Sequence, residues 1–306
     1  MTSITLSELP GLTVGHQEDR NAKTGCTAIL CPAGAVASAF VPGFAPGVRE
    51  LDLLRPESLV PAIHGLTLAG GSAFGLAAAT GVVRFLREKG AGFATGPIRV
   101  PIVPAAVIYD YPANLSNGAL PDEAMGYAAA VNASSAPALS GPLGAGFSAA
   151  SGLLGGPNGA SPSGLGSFGE ARPNGLKVAA LVVVNSLGSV VNPQTGAIVS
   201  GLISSKGGLA TRSEILGVLE KSPPTRPGQT VLAVVATNAP LDKLNAFRLA
   251  RMACCGLSRA IFPAHLMFDG DVVFALSLGS GPEANISYLG ALAAEILSEA
   301  ILRSVP

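Results

Sequence analysis

The chain has 306 residues, with 19 basic and 19 acidic side chains and a formal net charge of zero. That balance argues against a nucleic-acid binder, which needs surplus Lys and Arg to displace counterions from phosphates, and against an acidic solvating tail. Only 12% of residues are charged and 48% are hydrophobic, so the chain can bury a large core but has little charge for a water-facing surface, a shortage that assembly into an oligomer relieves.

The opening run MTSITLSELPGL has neither the basic nor the apolar region of a signal peptide. No run of 18 apolar residues escapes interruption by Gly, Ser, Asn or Pro. A cytoplasmic protein with no membrane span is expected. Cys26 and Cys31 are five apart and Cys254 and Cys255 are adjacent, spacings that suit no zinc site. All four are expected as buried thiols without disulfides.

In chain order, Thr27–Leu30 and Ala35–Val41 read as paired strands joined by a turn at Cys31-Pro-Ala-Gly34. Leu66–Ala69 reads as a strand running into Gly70-Gly71-Ser72, with Ser72 as N-cap of a helix that ends at Gly90. Ala105–Tyr109 reads as a strand and Asp122–Val131 as a helix. From Ala124 to Gly169 there is no charge, and the Gly/Ser/Pro-rich composition fits either a flexible linker or a packed loop. Lys177–Val191 is a buried strand that breaks at Asn185. A polar, proline-rich loop from Lys221 to Gln229 ends abruptly at Thr230, where TVLAVVAT begins as a strand covered on both faces. A helix over Asp242–Arg259, a strand over Asp271–Leu276 and a helix over Glu283–Arg303 complete a layered α/β fold.

Several groups could carry chemistry. Gly70-Gly71-Ser72-Ala73-Phe74-Gly75 lacks the Lys of a phosphate loop, the second Gly of a dinucleotide fingerprint and the last Gly of a nucleophile elbow, which leaves a tight strand-to-helix turn. His16, His64 and His265 have no metal spacing. His265 lies six residues before Asp271, so a Ser-His-Asp arrangement with Ser72 stays open. Asp269-Gly270-Asp271 is either a Gly turn before a strand or a pair of site carboxylates. Thr230 is either the first residue of a β-branched strand or a nucleophile exposed by self-cleavage. In the second case its hydroxyl would stand beside its own α-amine, whose pKa of roughly 7.7–8.0 suits a general base. Asn185-Ser186 is a rival junction that interrupts a strand pattern.

The segments TGCTAILCPAGAVASAFVPGFAPGVRELDLLRPE, LAGGSAFGLAAATGVVRFL, VPIVPAAVIYD, LGAGFSA, VNSLGSVV, TVLAVVATNAP and FDGDVVFALS resemble, in order, blocks of the DmpA-type aminopeptidase family, which includes the nylon-oligomer hydrolases. The resemblance implies an αββα sandwich of the N-terminal-nucleophile-hydrolase type, formed by residues 1–306 as one domain. The chain would cut itself at Gln229–Thr230 into subunits 1–229 and 230–306, and paired subunits would assemble, often as tetramers. Expected substrates are short peptides, small amides, esters or amino-acid oligomers, with no metal or cofactor. The resemblance places the nucleophile at Thr230, its orienting pair at Asp269 and Asp271, an oxyanion-stabilising amide at Asn185 and the family tyrosine at Tyr109. Two positions depart from the family: Gln229 stands where Asn or Gly is usual, and Leu153 stands at the position of a catalytic lysine. No Lys lies between Lys89 and Lys177, and the Leu153 change leaves open an inactive homologue with a structural or small-molecule-binding role.

Overall fold

A computed structural model describes residues 1–110, 119–221 and 229–306; the proline-rich run at 222–228 lies outside the described residues. Among the described residues ten strands form one hydrogen-bonded network, nine of them along a single path: β1 (Thr2–Ile4), β2 (Thr13–Asp19), β3 (Thr24–Phe40), β4 (Gly47–Arg49), β5 (Ile63–Ala69), β6 (Ala105–Val107), β7 (Leu165–Ala171), β8 (Lys177–Asn185), β9 (Thr230–Thr237) and β10 (Val272–Ser277). Their order is β1-β7-β8-β9-β10-β3-β5-β6-β4, with β2 also paired to β3. The β9/β10 and β5/β6 pairs are parallel, and the flanking β8/β9 and β10/β3 pairs are antiparallel.

Strand β3 makes two sheets out of this path. Its second half, Val36–Phe40, pairs with β10, whereas Thr24–Leu30 pairs with β2 and β5, and the register shifts between Leu30 and Ala35. The hairpin expected at Cys31–Gly34 is therefore an irregular stretch of one long strand. Pro32 has no N–H for the ladder and Gly34 sits at φ +96°, so pairing slips there without the chain reversing.

The period-2 alternation of each strand builds the layers. In β8, Ala179, Leu181 and Val183 enter the core between the two sheets, while Val178, Ala180, Val182 and Val184 enter a second core. In β9 the corresponding sets are Leu232, Val234 and Ala236 against Val231, Ala233 and Val235. Ile29, Leu66, Leu68 and Ala106 close the inter-sheet core from the opposite sheet.

Six helices occur among the described residues: α1 (Ala78–Glu88), α2 (Glu123–Val131), α3 (Arg212–Lys221), α4 (Lys243–Ala253), α5 (Cys255–Ala260) and α6 (Ile286–Leu302). The second core is covered by α4, α5 and α6, and α1 and α2 cover a third core outside β3 and β5. The result is the αββα sandwich.

Local chemistry sets the boundaries. Asp122, Asp242 and Asn285 cap α2, α4 and α6 by accepting backbone N–H bonds. Ser72 does not cap its helix: Gly71 stands before it at φ +77°, and Ser72 opens a 3-10 turn over Ser72–Ala77 that leads into α1. The single helix expected over 242–259 is two, separated at Cys254. Cys255 is exposed, so only three of the four thiols are buried. The uncharged stretch after Ala124 is packed rather than free, since Ala145, Ala149 and Leu165 enter the inter-sheet core. No helix among the described residues is long and apolar enough to cross a membrane.

Phe274 of β10 is the largest fully buried side chain among the described residues and lies in the inter-sheet core. Phe274→Ala is expected to cost about 3–5 kcal/mol of stability, read as a lower urea midpoint with an unchanged slope.

Candidate active site

The site forms where β9 begins. Thr230 is buried and lies directly opposite Asn185, the last residue of β8. Opposed residues of an antiparallel pair project to one face, and the alternation of both strands makes it the inter-sheet face. The Asn185 side chain is fixed from both ends: Nδ2 donates to the Tyr109 carbonyl at 3.1 Å, and Oδ1 accepts from the Ala150 amide at 3.3 Å. A primary amide has two N–H donors, so one bond to Tyr109 leaves a second for a ligand.

A cavity of about 390 Å³ opens beside Thr230, lined by Ala45, Gly47, Ser72, Val107, Tyr109 and Thr230 among others, none of them charged. Two exposed rings, Phe44 and Phe74, adjoin its wall residues Ala45 and Ala73 in sequence. The wall at Ser72 is held from behind by buried Asp110. Its carboxylate accepts from the Gly71 amide and from the Thr24 hydroxyl, both at 2.7 Å.

The turn at 269–271 is hooked onto the other side of the β9 start. Gln229 bridges Asp269 in parallel register, and the Gly270 amide donates to the Gln229 carbonyl at 2.8 Å. Asp271 Oδ1 accepts from the Val231 amide at 2.7 Å, and Asp269 Oδ2 accepts from the Leu266 amide at 2.7 Å. The turn itself is clamped by Phe44 and Ala45, whose amides donate to the Asp269 carbonyl. Gly270 has no room for a side chain: a Cβ there would stand 2.6 Å from the Ala45 carbonyl oxygen and 2.7 Å from Thr230 Oγ1. Neither Asp side chain hydrogen-bonds the Thr230 hydroxyl: Asp271 holds the Val231 amide next to it, and Asp269 holds the Leu266 amide of its own turn.

The two carboxylates have different surroundings. Burial, reinforced by the neighbouring Asp271 charge, pushes Asp269 up to about 7. Asp271 instead faces a cation. Its Oδ2 lies 2.7 Å from His265 Nδ1, and His265 Nε2 lies 3.5 Å from Cys254 Sγ. Burial alone pulls the His265 ring down, but the bonds to Asp271 and Cys254 outweigh it and raise the ring to about 10.

Thr230, Gln229, Asp269, Asp271, Asn185 and Tyr109 are thus brought into one cluster. Leu153 adjoins it, because its amide donates to the carbonyl of Ser186, the neighbour of Asn185. Lys177 does not, since it lies eight residues from Asn185 along β8, about 26 Å at ~3.3 Å per residue. Ser72 lines the cavity, but His265 is bonded to Asp271 and Cys254 rather than to Ser72. The His–Asp half of the Ser-His-Asp arrangement exists and its serine half does not. Sequence reasoning missed the Gly270 amide, Asp110 and the contact of Cys254 with His265; only the His265–Asp271 spacing carried a signal. His16 and His64 are elsewhere, bonded to Thr27 and to the Ile102 amide, and burial lowers both.

The model of peptidase family S58 matches residues 5–306. An uncharacterized aminopeptidase of Mycobacterium bovis is 37% identical over 335 aligned residues, covering 100% of this chain and 94% of that protein. A 6-aminohexanoate-oligomer endohydrolase of Kocuria sp. is 30% identical over 314, covering 97% of this chain and 84% of that protein. Among solved structures, the L-aminopeptidase D-Ala-esterase/amidase of Ochrobactrum anthropi, described as a variant of the Ntn hydrolase fold, matches with a TM-score of 0.73 at 19% identity. That match covers 98% of this chain and 85% of the other. A Burkholderia sp. beta-aminopeptidase matches with a TM-score of 0.72 at 20% identity, over the same shares. The chain belongs to peptidase family S58 and is a hydrolase of peptide or amide bonds built on an Ntn-type fold.

Proposed function

We propose that the chain is a self-processing threonine hydrolase that cuts its own Gln229–Thr230 bond and then cleaves small neutral amides, short peptides or amino-acid oligomers. The observation that carries this is the Gly270 amide, 2.8 Å from the carbonyl oxygen of Gln229, beside a threonine fixed at the mouth of an uncharged cavity. A backbone donor already on that oxygen can stabilise the charge that develops when the carbonyl is attacked.

In processing, Thr230 Oγ attacks the Gln229 carbonyl carbon and its proton passes to a nearby base, for which the Asp269 carboxylate is placed by its backbone bridge to Gln229. The C–N bond breaks, the Thr230 amine leaves, and Gln229 is held as an ester until water releases it as a carboxylate. Gln229 supplies only its carbonyl, so Gln serves as well as Asn or Gly. In hydrolysis the freed amine takes the Thr230 hydroxyl proton and passes it to the leaving amine of the substrate. The remaining N–H of Asn185, beside Tyr109, is the donor for the substrate oxyanion. An uncharged cavity wall favours a neutral acyl group, because a buried charge without a partner is costly. Low overall charge supports assembly of the cut chains into an oligomer.

A second reading, an inactive homologue, is favoured by one observation: Leu153, beside Ser186, can neither donate a proton nor carry charge where the family has lysine. Intact-mass measurement separates the two. Wild type is expected to yield chains 1–229 and 230–306, Thr230→Ser to cut slowly and Thr230→Ala to stay whole. A wild-type chain that stays whole after prolonged incubation supports the inactive homologue.

Gly270→Ala is expected to slow the cut by on the order of a hundredfold, since its Cβ displaces the nucleophile or the turn that carries the donor. The checks are denaturing gels over time and a circular-dichroism melt that confirms folding.

Because burial and Asp271 raise Asp269 to about 7, its carboxylate gains its proton as pH falls through that value and loses it as pH rises. The rate of processing is therefore expected to increase with pH through about 7, and Asp269→Asn to abolish that rising limb together with most of the rate.

A further inference from the structure

We propose that His265 is a positioning residue of this site: its ring pins the Asp271 carboxylate, and through it the Thr230–Val231 peptide, in the orientation that attack by the threonine requires. This rests on Thr230 being the nucleophile.

The path is continuous. Cys254, at the end of α4, meets His265 Nε2 at 3.5 Å; His265 Nδ1 meets Asp271 Oδ2 at 2.7 Å; Asp271 Oδ1 holds the Val231 amide at 2.7 Å. Each Asp271 oxygen thus has one partner, and the carboxylate can rotate only if it gives up one of them. The peptide it holds is the one directly after Thr230, so its orientation sets that of the Thr230 main chain and, after the cut, of the amine.

Two features argue for a selected role rather than incidental packing. His265 adopts φ +57°, a left-handed conformation that a non-glycine residue adopts at some cost and that persists where its surroundings compensate for it. The Cys254–His265 contact also lies on the helix side of the sheet, in the core formed with α4 to α6, whereas Thr230 and Asn185 face the opposite, inter-sheet side. His265 therefore works from behind, outside the residues that line the cavity.

The titratable groups facing the ring are Asp271 and Asp269 from the turn and Cys254 from the end of α4. With the ring raised it is an imidazolium at neutral pH and both nitrogens donate. Its charge lowers Asp269 from where burial and Asp271 would otherwise take it.

The test compares His265→Gly and His265→Asn with wild type. Glycine relieves the left-handed backbone while deleting the ring. Asparagine tolerates that backbone and returns a neutral N–H donor near the Nδ1 position. For self-cleavage across pH, His265→Gly is expected to lose on the order of a hundredfold in rate and to move its rising limb to higher pH. His265→Asn is expected to recover most of the plateau rate but to keep the displaced limb, because the donor is restored and the charge is not. On a neutral amino-acid p-nitroanilide the loss should fall on kcat, with KM little changed, and added imidazole should partly restore the glycine variant. Wild-type rate and pH profile in a folded His265→Gly chain would overturn the role. In parallel, NMR of the wild-type ring should show titration well above the usual ~6.5, lowered by Asp271→Asn. A wild type that neither cuts itself nor hydrolyses substrate defeats the Thr230 mechanism and leaves this titration to decide; a ring that titrates near ~6.5 overturns the pinning of Asp271 whatever the activity.

Discussion

The site depends on one pair of backbone contacts, made where the Asp269–Asp271 turn meets the first residues of β9. The Gly270 amide holds the Gln229 carbonyl and the Asp271 carboxylate holds the Val231 amide, so the peptides on both sides of Thr230 are gripped by two consecutive residues. That grip exists because β9 and β10 are parallel neighbours, which brings the segments entering them to the same end of the sheet. Phe44 and Ala45 lock the turn from the far side through the Asp269 carbonyl. A bond held this way has a fixed carbonyl, a donor on its oxygen and a hydroxyl on its own next residue.

The four layers decide which groups can meet there. Alternation along β8 and β9 sends Asn185 and Thr230 to the inter-sheet face, where the end of the core opens into the cavity. The opposite face belongs to the helices, and from that side Cys254 and His265 reach Asp271. Thr230 and Asn185 thus lie on one side of the sheet, and Cys254 and His265, which reach Asp271, on the other. The two carboxylates then have different surroundings, Asp269 raised by burial and Asp271 held against the His265 ring.

Much of the fold was legible because the strands are extreme in composition. TVLAVVAT is apolar on both faces and follows a polar loop, so its limits agree with β9 residue for residue. The continuity of β3 is hidden in the sequence because Cys31-Pro-Ala-Gly34 has the chemistry of a turn, and only pairing with two different sheets keeps it extended. The helix over 242–259 conceals its break because nothing in Ala253-Cys254-Cys255 is a helix breaker. The site was legible in part through the family resemblance: spacing alone left Thr230 and Asp269-Gly270-Asp271 with two readings each. The Cys254–His265–Asp271 chain and the Gly270 donor depend on contacts between distant segments, and no local pattern encodes them. Leu153 is the counter-example, a departure visible in the sequence whose neighbourhood, beside Ser186, needed the fold.

Trapping of an acyl group shows whether Thr230 carries the reaction. The purified protein is mixed with an activated ester of a neutral amino acid, quenched in acid, digested and mapped by mass spectrometry. A Thr230 nucleophile puts the added acyl mass on the peptide that begins at Thr230, carried by the hydroxyl or transferred to the adjacent amine. Acylation of Ser72 with Thr230 unmodified would contradict it.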